Sequence, residues 1–183
     1  MTRWVELRGL IDKARSERKK DWLGALTVLV KRAAEARVCE TFEQYRIKKH
    51  GRTITLSPRD GGAIMKTRKA EVPAIALRNL PALDDTKLSF RVVLQRDEKM
   101  IAEYTASAVG REKSSGRSWY VRVDLDAEQK GDGPCTHAML HCHVGVDPAE
   151  EGGQESRTPL PWLDPDEALA WILATLHPHM EPR

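Results

Sequence analysis

Two hydrophobic periods divide the chain. Near the N-terminus, Trp4, Leu7, Ile11 and Ala14 recur at helical spacing, and Trp22, Leu26, Leu29 and Ala33 continue the three-and-four rhythm. The stretch Lys13–Lys20 between them is almost wholly polar, and Asp21 is a good N-cap for the second of the two segments. The spacing predicts helices over 3–18 and 22–38. From residue 41 the period becomes two. Phe42–Ile47 and Thr53–Leu56 flank Lys49-His50-Gly51 as a hairpin. Leu88, Phe90, Val92 and Leu94 share one strand face; Ala102, Tyr104, Ala106 and Ala108 alternate along a returning strand. Trp119, Val121, Val123 and Leu125 form another buried row, and Ala138, Leu140, Cys142 and Val144 a last one. Segments 110–117 and 145–158 read as loops. Asp164-Pro165-Asp166-Glu167 then opens a helix with a capping residue, a first-position proline and acids in the first turn, and Leu169, Trp171, Ile172 and Leu176 supply its apolar side.

The pattern predicts an α+β fold: an antiparallel β-meander of about five to seven strands, packed by two N-terminal helices and one C-terminal helix. A length of 183 residues suits a single domain over 1–183. Within it, 1–40 is the helical basic region, 41–145 the antiparallel sheet, and 146–183 an acidic loop and the C-terminal helix. With 40% hydrophobic and 31% charged residues and a mean hydropathy of -0.52, neither a disordered nor a membrane-spanning chain is expected. The N-terminus lacks a signal-peptide layout and the cysteines number three, an odd count, so a cytoplasmic, reducing location is expected.

Charge is unevenly spread. Residues 1–100 carry 23 Lys and Arg against 13 Asp and Glu, whereas residues 101–183 carry 7 against 14. A basic half favours RNA, another polyanion or an acidic protein surface. Arg15, Arg18, Lys19 and Lys20 form its densest spot. No phosphate loop follows Gly61-Gly62, and no nucleophile elbow, dinucleotide fingerprint or His-Glu-x-x-His is present.

Strand alternation gathers the candidate chemistry on the face opposite the helices. Residues 136–144 display His137, His141 and His143; 118–125 display Tyr120, Arg122 and Asp124; 87–95 display Ser89, Arg91 and Gln95. Histidines exchange protons near neutral pH and arginines recognise phosphate, so the set fits metal-independent ribonuclease chemistry with His137, His141, His143, Arg122 and Asp124 as the catalytic group. Arg91 and the basic quartet Arg15, Arg18, Lys19 and Lys20 would bind the polyanion.

Zinc is an alternative, since Cys135, His137, His141, Cys142 and His143 lie close in sequence. Alternation turns Cys142 inward, however, and His137 stands about 13 Å along the strand from His141. A third ligand would have to come from another strand, with Asp124 the obvious candidate. No bound metal and no cofactor are therefore expected. His177 and His179 would join only if the tail folds back.

Arg122-x-Asp124, followed by His141-x-His143-Val144-Gly145, a loop, prolines and a final amphipathic helix, resembles small toxins of the TumE type from bacterial toxin–antitoxin pairs. The resemblance covers about a third of the chain. It implies a compact α+β protein that acts on RNA or translation and is neutralised by an antitoxin partner. The rival expectation is a non-catalytic interaction subunit of a larger complex, docking through its basic N-terminal helices.

Overall fold

Nine strands pair into one antiparallel sheet, and the C-terminal helix lies on it with the other described helix packed against that helix. The computed structural model describes residues 22–39, 45–58, 63–66, 71–95, 101–126, 140–145, 156–161, 163–177 and 180. The first predicted helix with Arg15, Arg18, Lys19 and Lys20, and Gly61-Gly62, Cys135, His137 and His179, lie outside these residues.

Helix α1 runs Trp22–Glu35 and buries Leu26, Val30 and Ala33. It stops three residues short of the expected end because Arg37 adopts a left-handed φ of 59°. Arg37 N–H then donates to Ala34 O and Val38 N–H to Ala33 O, both at 2.9 Å, which closes the terminal carbonyls in a Schellman arrangement.

Nine strands follow: β1 (Tyr45–His50), β2 (Thr53–Pro58), β3 (Ala63–Lys66), β4 (Glu71–Ala76), β5 (Leu83–Leu94), β6 (Ile101–Glu112), β7 (Ser118–Asp126), β8 (Leu140–Gly145) and β9 (Ser156–Pro159). The β1–β2 hairpin turns at Gly51, whose φ of 56° suits a glycine-led two-residue turn. The order β1-β2-β5-β6-β7-β8-β9 departs from a simple meander. One edge of β5 is shared: β2 pairs with it near Val92, and β4 pairs with it at Leu88 and Lys87. The strand count exceeds expectation because β3, β4 and β9 carry little alternation. β9, Ser-Arg-Thr-Pro, has no large apolar side chain and is paired along its backbone to the edge of β8. It forms within the segment expected to be an acidic loop, and β6 likewise extends to Glu112 through part of an expected loop.

Helix α2 runs Pro165–Leu176. Its N-terminus is capped as the sequence suggests: Glu167 Oε2 accepts from Asp164 N–H at 2.9 Å, with Pro165 in the first turn. Ala168, Leu169, Ile172, Leu173 and Leu176 form the buried stripe. Trp171 falls outside that stripe and is 37% exposed, correcting its expected core role.

Helix α2 lies on β5 and β6, where the fully buried Ala106 and Ala108 leave room for close approach, and α1 packs on α2. Phe90, Val92, Tyr104, Val121, Val123 and Leu125 complete the sheet side of this core. The Tyr104 hydroxyl donates to Leu163 O at 2.9 Å and ties the sheet to the approach of α2. Among the described residues no helix is long and apolar enough to cross a membrane.

Candidate functional site

The site is built from two strands and their register. In β7, Val121, Val123 and Leu125 turn to the helices, which leaves Tyr120, Arg122 and Asp124 on the opposite face. In β8, Leu140 and Cys142 turn inward, which places His141 and His143 beside that set. Antiparallel pairing sets Arg122 opposite His143 and Asp124 opposite His141. The adjoining strand continues both rows, with Ser107 opposite Arg122 and Thr105 opposite Asp124.

Asp124 is the hub. Arg122 donates Nε–H to Asp124 Oδ2 at 2.6 Å, and the Thr105 hydroxyl donates to Oδ1 at 2.9 Å. His143 Nε2 stands 3.4 Å from Oδ2. The His141 and His143 rings meet edge to face, with centroids 4.7 Å apart. Beyond Ser107, a buried hydroxyl pair, Ser89 Oγ to Ser107 Oγ at 2.8 Å, carries the polar row into β5.

The expectation of an open face needs correction at its centre. His143 is 1% exposed, and Tyr120, Ser107 and Ser89 are buried with it. Alternation decides which side of a sheet a residue occupies; it does not decide whether that side meets water. Arg122 and Asp124 keep about a fifth of their side-chain surface, at 21% and 19%, and His141 is half-buried. Gly145 contributes to the packing, because a Cβ there would collide with the Tyr120 ring. Arg91 lies on the same face but farther out, where its Nη1 pairs with Glu103 Oε1 at 2.6 Å. His177 ends α2, well outside the cluster in sequence and in fold.

Cys142 faces the core from the opposite side of β8. Burial, and secondarily the Asp124 charge, push its thiol pKa up, and its place on the other face of the strand keeps the sulfur out of this cluster. Thr105, Ser107 and Glu103 did not stand out in the sequence. Their signal was the alternation of Tyr104-Thr105-Ala106-Ser107-Ala108, whose odd positions are polar. A separate cavity of about 360 Å³, lined by Leu83, Arg117, Trp119 and Leu176 among others, opens by the β6–β7 hairpin and the end of α2. It holds none of the histidine cluster.

Fold and site together define an α+β protein whose sheet carries a His–His–Asp–Arg constellation on the face away from its helices. No protein-family model, curated protein or solved structure significantly matches the chain.

Proposed function

We propose that this protein acts on nucleic acid, RNA in the first place, at the polar face of β6–β8. The observation that carries the reading is Arg122 held by Asp124 at 2.6 Å beside the half-buried His141. A guanidinium oriented by a carboxylate is pre-organised, and it loses less side-chain entropy on engaging a phosphate than a mobile surface arginine does. The excess of 23 basic over 13 acidic residues in 1–100 supports the same class of ligand, and so does the resemblance of the C-terminal third to TumE-type toxins. The burial of His143 removes it from direct contact with a phosphodiester. A pair of histidines acting together on the substrate as acid and base is therefore not part of the reading, and Arg91, whose ion pair with Glu103 lies farther out and is about half exposed, is held less firmly than Arg122 and is peripheral to it.

Anisotropy of a labelled single-stranded RNA, titrated with the full chain at several salt concentrations, tests it. Binding is expected to weaken as salt rises, and Arg122→Ala is expected to reduce the log–log salt slope by about 0.7, the increment for one phosphate contact on a single strand. No binding at about 50 mM salt, within the range where polyanion contacts are strong, overturns the reading. So does affinity that survives Arg122→Ala but is lost when Arg15, Arg18, Lys19 and Lys20 are neutralised, since the N-terminal segment would then be the docking surface.

A further inference from the structure

The polar cluster also has the composition of a transition-metal centre. One ligand atom from each of Asp124, His141 and His143 lies within 4.8 Å of the other two. In a tetrahedral zinc site with bonds of about 2.0–2.1 Å, neighbouring ligand atoms stand roughly 3.3 Å apart. His143 Nε2 and Asp124 Oδ2 already stand at 3.4 Å. That separation matches one edge of such a tetrahedron, and it is long for a charge-assisted hydrogen bond, which settles at about 2.7–2.9 Å. The edge-to-face His141 and His143 rings are not stacked on each other. Closing the set needs the His141 side chain to shift on the order of 1–2 Å to reach zinc-site spacing, an adjustment open to a half-buried residue.

The surroundings suit that role. His141 and His143 sit two apart on one paired strand, and Asp124 is directly opposite His141 on the next, so all three backbones are locked in one ladder. Thr105 and Arg122 each donate to one oxygen of Asp124, which fixes the carboxylate as the supporting hydrogen bonds of metal ligands do. His143 supplies a dry wall, while the partial exposure of His141 and Asp124 gives an ion and water a way in. Cys142 faces the other way, so the donors are two nitrogens and one oxygen.

We propose that Asp124, His141 and His143 bind one divalent transition-metal ion of the zinc class, with a remaining position left to water or ligand. The sequence argued against a metal because the third ligand had to come from another strand; β7 brings it within reach. Arg122 on the same oxygen opposes the dication and keeps affinity below that of a closed structural zinc centre. Ion and guanidinium together make a strongly positive locus for a phosphate oxygen, so the site deepens the nucleic-acid reading, although ion binding does not depend on it.

The test uses the full chain stripped with EDTA and titrated with Zn²⁺ by calorimetry and with Co²⁺ by visible absorbance. One ion per chain is expected, with a Co²⁺ spectrum of nitrogen and oxygen ligation at low coordination number. His141→Ala and Asp124→Asn should weaken binding by about 100-fold or more, and Thr105→Val, which removes no ligand, by about tenfold. Thermal melts of the EDTA-treated variants establish that each is folded, and Thr105→Val carries the test if a ligand variant is not. No saturable binding overturns the site, and so does one-to-one binding that His141→Ala and Thr105→Val leave unchanged. RNA titrations in EDTA separate the two ideas. RNA binding without ion binding sinks only the metal site, and ion binding without RNA binding sinks only the nucleic-acid reading.

Discussion

Replacing Asp124 by alanine should uncouple the cluster, and the size of the effect is set by its two hydrogen bonds. The Arg122 contact is charge-assisted and short, at 2.6 Å, between side chains 21% and 19% exposed. Bonds of this kind contribute about 1.5–3 kcal/mol, whereas solvated pairs contribute about 0.2–1 kcal/mol. Partial exposure places this one near 1.5 kcal/mol, at the lower limit of the first range. The Thr105 bond to Oδ1 adds about 1 kcal/mol. Asp124→Ala should therefore cost about 2–3 kcal/mol and lower Tm by about 4–12 °C in a chain of this length. Urea unfolding of Asp124→Ala, Arg122→Ala and the double variant, in EDTA and with m-values compared, isolates the pair. The expected coupling is about 1.5 kcal/mol, so Arg122→Ala should cost far less once Asp124 is gone. A coupling below about 0.3 kcal/mol, the level of simple additivity, would refute the hub role of Asp124.

Three further outcomes rest on the packing. Gly145→Ala should destabilise the fold by about 1–3 kcal/mol, because the new Cβ meets the Tyr120 ring and that ring is 3% exposed and cannot swing into water; urea unfolding checks it, and a neutral result would mean the two strands separate easily there. Arg37→Gly should instead stabilise by about 0.5 kcal/mol on the same urea assay, since glycine relieves the left-handed φ of 59° at an exposed site at some cost in unfolded-chain entropy. The Cys142 thiol, pushed up by burial and then by Asp124, holds its proton in the folded state after the unfolded chain has lost it. Stability should thus fall as pH rises above about 9, and Cys142→Ala, measured with chelator present, should flatten that decline relative to the parent.

Much of the fold was legible along the chain because its signals are local. Period two in 88–94, 102–108 and 119–125 predicted β5, β6 and β7 and their inward faces, and the Asp164-Pro165-Asp166-Glu167 start of α2 holds as a cap. The end of α1 was not legible, because an arginine rather than a glycine takes the left-handed position. Strands β3 and β4 were missed because they are short and β4 buries neighbouring rather than alternating residues around Pro73, and β9 because backbone pairing recruits it without a large apolar side chain.

For the site, the sequence by itself determined which side of the sheet each residue occupies: Arg122, Asp124, His141 and His143 together, with Cys142 opposed. The two-residue period of an extended chain is enough for that. Only the tertiary structure decided the rest. The β7–β8 register chose Asp124 as the neighbour of His141, and the β6–β7 register brought Thr105 onto the same carboxylate. Burial of His143 was likewise invisible in the pattern, because a histidine reads as polar wherever it stands. Register and burial depend on contacts between segments tens of residues apart, and no local period encodes those distances.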